Sequence, residues 1–145
     1  MFDSHRSRLS LALLIAVSLT GGVPAVHAEM MKMKATLSGT AEVPPNTSKG
    51  QGEATLDYDS ATKKLSWNIT YSGLTGPATA GHVHGPAAAG ANAGVAIPFA
   101  KADSPITGSA TLTDAQATDL LAGRMYINIH TAAHPGGEIR GQIGK

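Results

Sequence analysis

The stretch "KKLSWNITYSG", residues 63–73, alternates cleanly. Leu65, Trp67, Ile69 and Tyr71 fall on one side, and Lys64, Ser66, Asn68 and Thr70 on the other. Successive side chains of a strand point to opposite faces, so this period of two describes a strand packed on one face and wet on the other. "RMYINIH" (124–130) repeats the pattern, setting Met125, Ile127 and Ile129 opposite Tyr126, Asn128 and His130. "GEATLDYD" (52–59), "GVAIPFA" (94–100), "ITGSATL" (106–112) and "GEIRGQI" (137–143) are further short strand candidates, separated by clusters of glycine, proline and asparagine. Many short strands with turns between them predict an all-β fold, an antiparallel Greek-key sandwich or barrel.

One segment departs from this pattern. "TDAQATDLLAG" (113–123) offers Thr113 as N-cap and Gln116 three residues on, the pattern of a capping box, and Gly123 as a stop. It predicts a single short helix at about 113–122, packed over one end of the β structure. "VPPNTSKGQ" (43–51) and "GPAAAGANA" (85–93) read as loops.

The first residues read as a targeting segment. His5, Arg6 and Arg8 precede an apolar run from Leu9 to Leu19, which Gly21, Gly22 and Pro24 interrupt before Val26-His27-Ala28. Small residues in that place mark a signal-peptidase site, so residues 1–28 are expected to be a signal peptide cut after Ala28. The apolar run is about half the ~20 residues a spanning helix needs. The exported chain would then be periplasmic or secreted. It would start with a flexible, methionine-rich tail at 29–34, "EMMKMK", and continue as one domain over 35–145.

Composition narrows the chemistry. The 145 residues include no cysteine, so packing, hydrogen bonds or a metal must hold an exported domain together without disulfides. Of 11 Lys/Arg and 10 Asp/Glu, residues 1–28 hold Arg6, Arg8 and Asp3, which leaves nine of each and a formal charge of zero. Basic residues are scattered and aromatics few, so the chain has no nucleic-acid footprint. No serine sits in a nucleophile-elbow sequence, and no glycine-rich phosphate loop precedes a helix.

The histidines are less scattered. The chain has six, and beyond residue 28 the remaining four all lie in "GHVHGPA" (81–87) and "NIHTAAHPGG" (128–137). On a strand His82 and His84 project together, with Val83 turned to the core. His130 shares the side opposite Ile127 and Ile129, and the loop carrying His134 can fold back toward it. Imidazole is the commonest metal ligand. The expected site is a mononuclear centre of His82, His84, His130 and His134, four nitrogens that would close a four-coordinate site. Such a site suits copper, which binds most tightly in the divalent series, ahead of zinc. Met30, Met31 and Met33 add soft thioethers suited to copper(I). Glu138 and Arg140 flank Ile139 and read as a surface pair, with the alternative that Glu138 accepts the second N–H of a ligand histidine.

"LSGTAEVPP" (37–45), "GHVHGPA" and "LTDAQATDLLAGRMYINIHTAAHPGGEIRGQI" (112–143) resemble the CHRD domain, named from chordin and widespread in bacterial exported proteins. The resemblance covers about 35–145 and implies an all-β extracellular or periplasmic domain. Its pattern is matched at His82, His84 and His130 and departs at His134, where the family more often has asparagine. A looser similarity of arrangement, a His-x-His pair on a strand of a Greek-key barrel, links the chain to copper/zinc superoxide dismutase, whose cysteines and zinc loop are absent here. The expected function is copper binding in the cell envelope, for buffering, sequestration or delivery, with an envelope copper-handling protein as partner. The rival readings are a copper redox enzyme of superoxide-dismutase or oxidase type, and a metal-free adhesion or interaction module.

Overall fold

The computed structural model describes residues 29–145, so the expected signal peptide lies outside the described residues. The described residues form eight strands: β1 (Met30–Ser38), β2 (Gln51–Asp59), β3 (Lys64–Ser72), β4 (Ala78–His84), β5 (Val95–Pro98), β6 (Ile106–Thr111), β7 (Tyr126–Thr131) and β8 (Ile139–Gln142). Among the described residues one α-helix, α1 (Asp114–Leu121), sits between β6 and β7, and a single 3-10 turn, Gly39–Ala41, follows β1. All pairings are antiparallel, in one sheet of order β5-β4-β7-β8-β1-β2-β3-β6. The sheet curls into a nearly closed barrel. Phe99, just past edge strand β5, meets Trp67 of β3 with ring centroids 5.1 Å apart. β3 is the neighbour of the other edge strand, β6. The all-β expectation therefore holds, with a curled single sheet as its form.

The alternation in "KKLSWNITYSG" is kept. Leu65, Trp67 and Ile69 are buried, and Lys64, Asn68 and Thr70 face solvent. Their inward side chains join Leu37, Leu56, Val83, Ile127, Ile129, Ile139 and Ile143 in one apolar core. The helix starts where expected. The Thr113 side chain accepts from the Gln116 N–H at 3.2 Å, and the Gln116 side chain accepts from the Thr113 N–H at 2.9 Å. Among the described residues no helix is long and apolar enough to cross a membrane.

The tail expected at 29–34 is instead the start of β1. Met30 through Ser38 pair along their length with Asp59 through Gln51 of β2. The reason is visible in the sequence once the strand is known. Met33, Ala35 and Leu37 alternate with Lys32, Lys34 and Thr36, and Met33 is 4% exposed in the core. Three loose thioethers are therefore not available together, because Met33 is a packing residue.

Candidate metal centre

The strands β4, β7 and β8 lie side by side, and their outward residues form cross-strand rows. His84 faces Tyr126, which faces Gln142, and His82 faces Asn128, which faces Arg140. Alternation alone predicts a wet face here. The structure buries much of it under loops 39–50 and 85–94: Tyr126, Asn128 and Arg140 are at most 3% exposed and His84 is 9% exposed. Buried polar groups need hydrogen-bond partners, and these loops supply most of them.

Three of the four expected histidines come together. One ring nitrogen from each of His82, His84 and His130 lies within 4.8 Å of the others. Two of the rings are fixed by backbone carbonyls. His84 Nδ1 is 3.0 Å from the Ala93 carbonyl, and His130 Nδ1 is 2.9 Å from the Pro135 carbonyl. A carbonyl only accepts, so both Nδ1 atoms carry the proton and both Nε2 atoms keep a lone pair. His130 Nε2 then accepts from His82 Nδ1 at 3.0 Å. His84 Nε2 is buried with no hydrogen-bond partner. The rings are close and mutually inclined, at 87° between His82 and His84 and 68° between His82 and His130. His84 also lies flat against Tyr126, at 4.9 Å and 4°.

The surroundings of His82 and His84 favour their neutral forms. Burial pushes the His82 and His84 pKa values below the ordinary histidine range, and the neighbouring rings add to the effect at His82. A neutral imidazole is the form that binds a metal. Two nitrogens bound to one ion at about 2.0–2.1 Å stand roughly 3 Å apart when the bonds meet near a right angle. The separation of 3.0 Å between His82 Nδ1 and His130 Nε2 has that spacing, and both nitrogens are donors to an ion once the His82 proton moves to its own Nε2. The orphaned His84 Nε2 is a third donor, so the residues present fit a transition metal that prefers nitrogen ligands.

His134 is not in this cluster. Its loop contributes in another way. The His134 N–H donates to the Thr131 carbonyl at 3.1 Å, and its carbonyl accepts from the Gly137 N–H at 3.0 Å. That tight turn presents the Pro135 carbonyl to His130.

Glu138 and Arg140 are not a surface pair. They are 0% and 2% exposed, and neither takes part in an ion pair among the described residues. β8 begins at Ile139, so the side chain of Glu138 is not bound by the strand's alternation. Its carboxylate accepts from Ser48 Oγ at 2.6 Å, from Thr131 Oγ1 at 2.6 Å, and from both the N–H and Oγ1 of Thr75 at 2.8 Å. No histidine is among its donors, so the two Nδ1 protons go to carbonyls instead. The hydroxyl and amide donors outweigh burial and hold the Glu138 pKa down at about 2. Sequence reasoning also passed over Glu42. Its carboxyl is 6% exposed, accepts from Asn128 Nδ2 at 2.6 Å, and is raised to about 7 by burial in spite of Arg140 nearby. Gly137 is required beside that pair. Its φ is +131°, and a Cβ there would stand 2.3 Å from Asn128 Nδ2 and 2.6 Å from Glu42 Oε1.

The sequence model of the CHRD domain matches residues 33–143. No curated protein and no solved structure matches the chain, so neither comparison supports the looser similarity to copper/zinc superoxide dismutase. The family match takes in β1 from Met33 on, every other strand of the sheet and all three clustered histidines, and the chain belongs to the CHRD domain family.

Proposed function

We propose that this chain is an exported protein that binds one copper ion through His82, His84 and His130, and that it buffers, sequesters or delivers copper in the cell envelope. The observation that supports the reading is the convergence of three ring nitrogens within 4.8 Å, with the His84 and His130 rings oriented through their Nδ1 protons by backbone carbonyls so that each Nε2 carries the lone pair. Copper is preferred to zinc because an all-nitrogen site binds copper(II) most tightly. With His134 outside the cluster, the protein supplies three ligands rather than four. A position left for an outside ligand suits a metal that must be exchanged, and it argues against a closed structural site. Met30, 62% exposed at the start of β1, remains available to receive reduced copper, whereas Met33 is not.

The same three-ligand arrangement favours a second reading, a copper redox enzyme, since catalytic sites also keep one position open. The carrier reading expects copper at one per chain in untagged protein purified from the cells that make it. It also expects superoxide dismutation no faster than that of free copper. Zinc at one per chain would replace the metal. Turnover far above free copper and lost in His130→Ala would replace the carrier with the enzyme. Purified protein without stoichiometric metal, which also fails to take copper up, would leave the interaction module.

A further inference from the structure

Among the described residues Arg140 is the largest fully buried side chain, and no carboxylate lies within ion-pair distance of it. Burying a cation is costly unless its donors are used. Here they are used on one loop. Nη1 donates to Asn92 Oδ1 at 3.1 Å and Nη2 to the Ala91 carbonyl at 2.7 Å, while the guanidinium carbon lies 3.4 Å from the centroid of the Tyr126 ring. The next residue, Ala93, carries the carbonyl that accepts the His84 Nδ1 proton, and its N–H donates to Tyr126 Oη at 3.1 Å. Residues 86–93 are proline, alanine, glycine and one asparagine, so only Asn92 has a side chain able to tether the loop by hydrogen bonds. Asn92 does so twice, accepting from Arg140 and donating to the Val43 carbonyl at 3.0 Å.

We propose that Arg140 and Asn92 are positioning residues for His84. By pinning residues 91–92 they hold the Ala93 carbonyl on His84 Nδ1, which fixes the ring as the Nδ1–H tautomer and aims its bare Nε2 into the histidine cluster before any metal arrives. The proposal rests on the metal reading for its consequence, since partners that orient a ligand histidine typically contribute about 10–100-fold to metal affinity. It does not rest on that reading for its structure, because the tautomer is a property of the protein alone.

The test uses protein labelled with nitrogen-15 in histidine, at a pH where the rings are neutral, and copper(II) in competition with glycine. In the wild type His84 shows the shift pattern of a protonated Nδ1 and a bare Nε2. Asn92→Ala, at an exposed loop position, turns His84 into a mixture of tautomers and weakens copper(II) binding by about 10-fold. Arg140→Lys does the same, because an ammonium cannot reach both acceptors as the planar fork does. Asn92→Asp keeps the acceptor for Arg140 and loses only the bond to Val43, so it retains the tautomer and nearly all the affinity. A general loosening of the loop would instead damage Asn92→Asp and Asn92→Ala alike, and that result overturns the proposal. So does an unchanged His84 tautomer in folded Asn92→Ala. A wild type that shows the tautomer but binds no copper overturns the metal reading and leaves the positioning role of Arg140 standing.

Discussion

Strand β7 serves two interiors at once. On its inner side Ile127 and Ile129 are fully buried in the apolar core of the barrel. On its outer side Tyr126, Asn128 and His130 meet β4, β8 and two covering loops, and here the buried side chains are polar. The inner side needs no particular chemistry, only apolar volume that fills the space. The outer side depends on donors and acceptors meeting one by one. The difference teaches where stability and function reside. Apolar packing does not need the histidines, and the cluster is assembled on a face the fold could otherwise have left to water.

The largest expected effect tests the inner side. Leu65 is fully buried on β3, away from β4 and β7 in the sheet order. Leu65→Ala should lose roughly 2–5 kcal/mol, as large-to-small core changes do. Denaturant unfolding measures it, and copper(II) affinity of the remaining folded protein should be unchanged. A matching loss of affinity would mean that the two interiors are not separable.

The next effects come from two buried carboxylates with opposite environments. Glu138 is surrounded by donors and sits near 2, below the ordinary value of 4.5. Its ionised form therefore contributes stability above about pH 4.5, and that contribution is lost as pH falls toward 2. Glu138→Gln turns an amide group toward donors that need an acceptor, and should cost about 3 kcal/mol at neutral pH. The gap from wild type should close in acid, and thermal melting across pH reads both arms. Glu42 is raised to about 7 by burial. Its protonated form is favoured in the fold, so its contribution is present below pH 4.5 and is lost as pH rises toward 7. Glu42→Gln keeps the acceptor for Asn128 Nδ2 and should raise the melting temperature above pH 7, with no change near pH 4. Equal responses from the two substitutions would contradict the environments described.

Histidine protonation is a smaller lever on stability. His82 and His84 lie below the ordinary range, so the fold favours their neutral forms. That contribution is complete above about pH 6.5, the unfolded value, and is lost as pH falls from there through the depressed folded values. Copper affinity should fall over the same acid window, with more than one proton taken up per ion released. The smallest effect is expected of His134→Asn. His134 lies outside the cluster, and its hydrogen bonds to Thr131 and Gly137 use its backbone, so affinity should change by less than about 10-fold, the least that losing a ligand's partner costs. A larger drop would bring the ring back as a ligand.

Much of the inner face was legible in the sequence, because a period of two is a local signal. Leu65, Trp67, Ile69, Val83, Ile127 and Ile129 could be assigned to the core from alternation, and the Thr113–Gln116 cap from its spacing. β1 was hidden because Met30 and Met31 begin the strand with two adjacent methionines, and the alternation from Lys32 onward competes with the look of a basic tail. On the outer face the same-side placement of His82, His84 and His130 was readable from parity. The carbonyls that orient them were not, because Ala93 and Pro135 act through backbone atoms and any residue type would look the same in sequence. Arg140 and Glu138 were misassigned for a related reason. Whether a polar residue on an outer face is wet or buried depends on loops that fold over it, and loops 39–50 and 85–94 give no periodic sign of where they lie.

The central claim is that three histidines on this outer face bind one metal ion. Copper(II) titration followed by electron paramagnetic resonance tests it most directly, on wild type and on His82→Ala, His84→Ala and His130→Ala. Saturation at one copper per chain is expected, with nitrogen hyperfine structure from the imidazoles. Each single substitution should weaken binding by about 100-fold or more, beyond the range for losing an orienting partner alone, while the protein stays folded. Copper that glycine strips from the wild type as readily as from the three variants would contradict the account.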